Sequence, residues 1–164
     1  GHEAIAKITE QVQKQVKAQG RWAANLPAEL GGGGYGQVKL GLMHEIRSQS
    51  PLATRIYGNN APDSGNAELL SLGGTEEQKA KWMQPLLDQK IRSCFSMTEP
   101  GAGADPTLLT TQAVRDGGEW IINGHKWFTS NGRRADIAIV MCRTEEKDGK
   151  GGGSDVKEFS GNRH

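Results

Sequence analysis

The sequence predicts an α+β chain in which the two kinds of structure are segregated, helices first and strands second. Three observations carry that expectation: apolar residues at helical spacing through the first ninety positions, a switch to period-two alternation after Asp88, and hairpin-type turn signals between the later segments. The composition frames it. The 164 residues hold 20 Lys and Arg against 19 Asp and Glu, a net charge of +1, so neither a nucleic-acid backbone nor an anionic bilayer is favoured as a partner. Only 35% of residues are apolar and 23 are glycine, which describes a globular chain poor in core material.

Ile5, Ile8, Val12 and Val16 share one face of a first helix, with Lys7, Glu10, Lys14 and Lys17 on its wet faces, and Gly20 is placed to end it. The run Leu30-Gly31-Gly32-Gly33-Gly34-Tyr35-Gly36 is a turn, because each interior glycine costs a helix about 1 kcal/mol relative to alanine. Tyr35, Val38, Leu42 and Ile46 repeat the apolar spacing in a second helix that stops at Ser50-Pro51, where a short helix restarts. Thr75-Glu76-Glu77-Gln78 reads as a capping box opening a helix through Trp82 towards Leu87.

From Ile91 the alternation Ile91, Ser93, Phe95, Met97 predicts a strand broken by Glu99-Pro100-Gly101-Ala102-Gly103. Asp116-Gly117-Gly118 joins two further strands, Gln112 to Arg115 and Glu119 to Ile122. Asn123-Gly124 then predicts a second hairpin into His125 to Ser130, since both central residues of a type I′ turn need positive φ. Ile137 to Cys142 is a last, buried strand. The expected division is a helical domain over 1–90, a partial β-domain over 91–144 and a flexible tail over 145–164, where charge gives way to glycine.

No stretch of about 18 apolar residues is present, so no membrane span is expected, and Gly1-His2-Glu3 lacks both an initiator Met and the apolar run of a signal peptide. Cys94 and Cys142 lie apart in apolar runs and read as reduced core thiols. His2, His44, His125 and His164 have no metal-ligand spacing, and no Gly-x-Ser-x-Gly elbow is present for a serine hydrolase. Gly101-Ala102-Gly103-Ala104-Asp105-Pro106 is not a dinucleotide fingerprint, because Pro106 stands at the third glycine and no helix follows. What remains there is a turn after a strand, with exposed amides and a Thr98 hydroxyl that could accept a flat polar ligand.

Read together, Phe95-Ser96-Met97-Thr98-Glu99-Pro100-Gly101-Ala102-Gly103 and Asn123-Gly124-His125-Lys126-Trp127-Phe128-Thr129-Ser130-Asn131-Gly132 resemble the two flavin-cradling segments of the acyl-CoA dehydrogenases, of the TEPGAGSD and NGxKxWITN types. Upstream, Pro27 to Gly32, Ala61 to Asn66 and Gly74 to Lys79 with Trp82 and Pro85-Leu86-Leu87 are similar to that family's amino-terminal helical domain, so the resemblance covers about residues 20 to 144. It implies an all-α domain followed by an incomplete antiparallel, barrel-like β-domain, without the carboxy-terminal helical bundle. It also implies an FAD enzyme of fatty-acid β-oxidation that converts an acyl-CoA to its trans-2-enoyl form, with hydride passing to flavin N5 and electrons to an electron-transferring flavoprotein.

The cofactor-binding residues implied are Phe95, Met97, Thr98, Gly103, Ala104, Phe128 and Ser130. Phe128 and Ser130 stand where the family usually has Trp and Thr and keep the aromatic wall and the hydroxyl donor. Ala104 replaces a family serine and cannot make that residue's hydroxyl bond, although backbone amides from Gly101 to Asp105 could serve. Residues around Asn60 to Leu70 lie near where relatives shape the acyl pocket. The family's catalytic glutamate and the core of its homotetramer belong to the carboxy-terminal domain, so no catalytic residue is assigned here and the chain alone is expected to be inactive. A mitochondrial matrix or bacterial cytoplasmic setting suits such a protein. An acyl-CoA oxidase, a flavin hydroxylase of the same fold and a non-catalytic interaction module are the rival readings.

Overall fold

The computed structural model describes residues 2–144 and 158–159. Helix α1 (His2–Ala18) buries Val16 and, through a Thr9 Oγ1 bond to the Ile5 carbonyl at 2.8 Å, also Thr9. Gly20 ends it in the left-handed conformation, at φ 65. A 3-10 turn (Ala28–Leu30) leads into the glycine loop. There Gly32 packs on the Leu26 backbone so closely that a Cβ would collide with it.

Helix α2 (Gly36–Arg47) corrects one expectation. Its predicted apolar stripe faces outward, with Val38 82%, Leu42 60% and Ile46 70% exposed, while Leu40 and Arg47 are the buried residues. Ile5 and Ile8 of α1 are exposed in the same way. The periodicity is real, but no described element packs over those faces. Short α3 (Ala53–Ile56) packs against α1.

Helix α4 (Asp63–Gly73) is not announced by the sequence spacing, because Pro62 and Gly65 interrupt its beginning. Its Ala67 and Leu70 nonetheless form the core with Met83, Leu86 and Ile137, and Leu30, Trp82, Leu87 and Ile91 pack around them. The capping box appears as expected: Gln78 N donates to Thr75 Oγ1 at 3.2 Å and Thr75 N to Gln78 Oε1 at 3.0 Å. The helix it opens is not uniform. α5 (Glu76–Gln78) and α6 (Gln84–Leu87) flank a wider π segment, Lys79–Met83, that carries Trp82.

The strands are β1 (Ser93–Ser96), β2 (Gln112–Asp116), β3 (Glu119–Asn123), β4 (Ile137–Val140), β5 (Arg143–Thr144) and β6 (Glu158–Phe159). They form two three-stranded sheets, ordered β1-β4-β6 and β3-β2-β5, and among the described residues no barrel closes. The antiparallel expectation holds for β2 with β3, joined at Gly117 (φ 58), and for β4 with β6. It fails for β1 with β4 and β2 with β5, which pair in parallel, Ser93 opposite Ile137 and Gln112 opposite Arg143. Parallel pairing follows from the long excursion between β1 and β4, which returns the chain beside its starting strand in the same direction. Cys94 is buried, Cys142 is half-buried, and neither is in a disulfide. The flexible tail expected over 145–164 lies outside the described residues, except that Glu158–Phe159 pairs as β6.

The Asn123-Gly124 hairpin does not form. Gly124 is not among the residues of positive φ, and residues 124–130 are irregular rather than a strand. The glycine is required for a different reason: a Cβ there would run into the Thr111 side chain.

Candidate functional site

Two segments meet beside β1. Trp127 N donates to the Thr98 carbonyl at 3.1 Å, Lys126 Nζ donates to the Met97 carbonyl at 2.7 Å, and the hydroxyls of Ser96 and Thr129 lie 3.0 Å apart. These bonds lash residues 96–98 to residues 126–129. The irregular path of 124–130 is therefore held by polar contacts instead of a ladder.

A buried ion pair secures the junction. Lys126 Nζ also donates to Glu99 Oε1 at 2.8 Å, and the two side chains are 10% and 2% exposed. Glu99 accepts further bonds from Thr111 N at 3.0 Å and from Thr110 N and Oγ1, both at 2.7 Å. Burial alone would raise the Glu99 carboxyl. The hydrogen bonds from Lys126, Thr111 and Thr110 override it and hold the group well below the usual carboxylate range. Glu99 is thus a carboxylate whose charged form is favoured by four hydrogen bonds. Its backbone closes the Pro100-Gly101 turn through reciprocal bonds with Ala102, both 3.1 Å.

The aromatic residues of the second segment face out. The Trp127 and Phe128 rings lie 4.8 Å apart, and Phe128 is 79% exposed with φ 55. A bulky side chain in the left-handed region is strained, and such strain persists where surrounding bonds fix the backbone. Here the fixing bonds are those of Lys126, Trp127 and Thr129. Beside them, Thr129, Asn131, Gly132, Arg133 and Arg134 line an open cleft of about 380 Å³.

Of the residues singled out in the sequence, Met97, Thr98 and Phe128 are drawn together by these contacts. Phe95 is half-buried on β1, and Ser130 is exposed on the turn closed by Gly132 N bonding the Thr129 carbonyl at 3.1 Å. Gly103 and Ala104 lie beyond the Glu99–Ala102 turn on an exposed loop, where a Cβ at Gly103 would meet nothing within 4 Å. Asp105 caps the 3-10 turn Pro106–Leu108 by accepting from Thr107 N at 2.9 Å, and the Thr107 side-chain and backbone bonds lower its pKa. Lys126 and Thr129 were not assigned roles from sequence. A lysine inside an aromatic run, with a glutamate beside the facing turn, is the pattern that marks them.

A second polar junction ties the helical half to β1. Asp63 Oδ1 accepts from Ser93 N and Ser93 Oγ, both at 2.7 Å, and Asp63 Oδ2 accepts from Arg92 Nη1 at 3.3 Å. Asn66 Nδ2 donates to Ser93 Oγ at 2.8 Å and to the Cys94 carbonyl at 3.2 Å. The strand carrying Phe95 is therefore positioned from both sides.

Comparison with known proteins identifies the family. Residues 2–90 match the family model described as acyl-CoA dehydrogenase, N-terminal domain, and residues 94–160 match acyl-CoA dehydrogenase, middle domain. The chain belongs to the acyl-CoA dehydrogenase family. It is 38% identical over 146 residues to acyl-CoA dehydrogenase family member 10 of Mus musculus, an alignment covering 84% of this chain and 14% of that protein. A Mycobacterium abscessus structure assigned provisionally as an acyl-CoA dehydrogenase superposes with a TM-score of 0.76 at 36% identity, covering 87% of this chain and 36% of that one. A glutaryl-CoA dehydrogenase from Mycobacterium smegmatis in complex with FADH2 gives a TM-score of 0.62 at 29% identity, covering 84% of this chain and 35% of that one. The chain thus spans well under half the length of each of these proteins. Among the described residues, no helix is long and apolar enough to cross a membrane.

Proposed function

We propose that these 164 residues supply the helical domain and the flavin-facing edge of an FAD-dependent acyl-CoA dehydrogenase. The observation carrying this reading is the clamp itself: Lys126 and Glu99 fix two segments so that Met97 and Thr98 adjoin an outward-facing Trp127–Phe128 pair. That donor set suits a flat heteroaromatic ring, which needs an apolar wall for its face and fixed hydrogen-bonding groups along its edge. The strained, exposed Phe128 supplies the wall, Thr98 and Ser130 offer hydroxyls, and open space at Gly103 leaves the loop amides accessible. FAD, when bound, supplies the acceptor for the hydride lost from the acyl β-carbon.

The chain's own residues bind and orient. Phe95, Met97, Thr98, Gly103, Ala104, Phe128 and Ser130 are proposed as cofactor contacts. Glu99, already ionised and saturated with donors, holds the loop and abstracts no proton. The base is therefore proposed to come from outside this sequence, as are the electron-transferring flavoprotein and the oligomer partner. Domain limits of 1–90 and 91–144 are part of the same proposal, and the relatives' mammalian and bacterial sources suit either a mitochondrial matrix or a bacterial cytoplasmic setting.

The test is gel filtration of the chain after incubation with FAD, followed by an acyl-CoA and dye assay. The reading predicts flavin absorbance co-eluting with protein and no dye reduction. Protein eluting without flavin would contradict the first half, and turnover would contradict the second.

A further inference from the structure

Arg47 ends α2 and is only 9% exposed, so its guanidinium sits inside the helical half. Its Cζ lies 3.9 Å from the centroid of the Tyr57 ring, and Nη1 donates to Asn59 Oδ1 at a long 3.3 Å. Asn59 is already committed elsewhere, since its Nδ2 donates to Asn25 Oδ1 at 3.0 Å. Nη2 is buried and has no hydrogen-bond partner among the described residues. Tyr57, Tyr35 and Arg21 are the titratable groups whose charge acts on this guanidinium. Burial, the largest influence, lowers its pKa. The two phenols oppose that shift and Arg21 adds to it.

A buried charge without a counter-charge is costly, and in folded proteins such groups are paired and fully hydrogen-bonded. Four separate segments nevertheless converge on this one: the loop after α1 with Arg21 and Asn25, the glycine loop with Tyr35, the end of α2, and the end of α3 with Tyr57 and Asn59. The convergence is built with care for backbone space. A Cβ on Gly33 would strike the Tyr35 ring, and one on Gly58, at φ +71, would crowd Trp22.

We propose that Arg47, with Arg21 beside it, is the receptor for an oxyanion, a phosphate or carboxylate group carried by a small-molecule ligand. A guanidinium fork matches either group in geometry and charge, and a desolvated one binds it far more strongly than a surface lysine would. The Tyr57 ring lies against the guanidinium, and exposed Arg21 adds to the positive field around it. With Nη2 sealed from solvent, entry requires a neighbouring side chain to move. The site uses the helical half alone and is independent of the flavin reading.

The test is thermal unfolding of the 164-residue chain titrated with sodium phosphate and, separately, sodium acetate, with ionic strength held constant by sodium chloride. A rise of about 4 °C is expected at about tenfold excess over the dissociation constant, growing with the logarithm of anion concentration beyond it. Arg47→Met should stay folded, because an apolar side chain in place of an uncompensated buried charge is neutral or stabilising, and it should lose the rise. Arg21→Gln should weaken the response about threefold, since it removes one exposed charge. A rise with phosphate alone makes the site phosphate-selective, and a rise with both makes it a general oxyanion site; either supports the proposal. No rise with either anion, an equal rise with chloride, or an undiminished rise in Arg47→Met or Arg21→Gln would overturn it.

Discussion

Lys126 and Arg47 are both buried cations in one small fold, and they are treated in opposite ways. Lys126 reaches a carboxylate at 2.8 Å and a carbonyl at 2.7 Å, while its partner Glu99 collects three more bonds from Thr110 and Thr111. Arg47 has an aromatic face, one long bond to an amide oxygen and an orphaned nitrogen. The first cation is satisfied by this chain and serves as an internal fastener. The second keeps one donor nitrogen without a partner among the described residues. Burial alone therefore does not distinguish a structural charge from a receiving one; the count of satisfied donors does.

The comparison is broken most forcefully at the clamp. Lys126→Met leaves Glu99 buried without its cation and is expected to cost about 3–5 kcal/mol in urea unfolding. Acid tests the same pair. The Glu99 carboxyl is held below its ordinary value, so its contribution is fully present above the unfolded value of about 4.3 and is lost as pH falls through the folded one. Glu99→Gln should flatten that acid limb, measured as unfolding midpoint against pH between about 6 and 2.

Asp63 supplies an intermediate case, a carboxylate shared by Ser93 and partly exposed Arg92. Asp63→Ala should cost about 2–3 kcal/mol by denaturant titration, since it strands the buried Ser93 amide and hydroxyl. Thr75→Ala, which removes one side of the capping box, should cost about 1 kcal/mol and calibrates an ordinary polar contact. Arg47→Met is expected to cost nothing, or to raise stability slightly, without any anion present. A loss near that of Lys126→Met would erase the distinction between the two cations.

Much of this was legible in the sequence because the signals were local. The capping box at Thr75, the turn at Gly117 and the end of α1 at Gly20 each rest on residues a few positions apart, and each appears where expected. The misreadings came from long-range contacts. Gly124 looked like a hairpin glycine but is small because Thr111 packs against it. The Val38, Leu42 and Ile46 stripe has helical period yet lies exposed, because periodicity specifies a face and not what covers it. Likewise Glu99 and Lys126 lie 27 positions apart, so their pairing depends on how 124–130 crosses β1.

The candidate site divides along the same line. Phe95, Met97, Thr98 and Phe128 can be named from two motifs, whereas the bonds that bring Met97, Thr98 and Phe128 together cannot. Ala104 departs from the family serine, and it sits on an exposed loop without a hydroxyl to offer.

The most direct test of the central claim, that the clamp presents Phe128 and its neighbours to a flavin, is a fluorescence titration of FAD with the intact chain and with Phe128→Ala. The account predicts saturable quenching by the chain. Removal of an aromatic wall worth about 0.5–1.5 kcal/mol should weaken it about two- to tenfold in the variant. Flavin fluorescence unchanged by the chain, or equal affinity in Phe128→Ala, would contradict it.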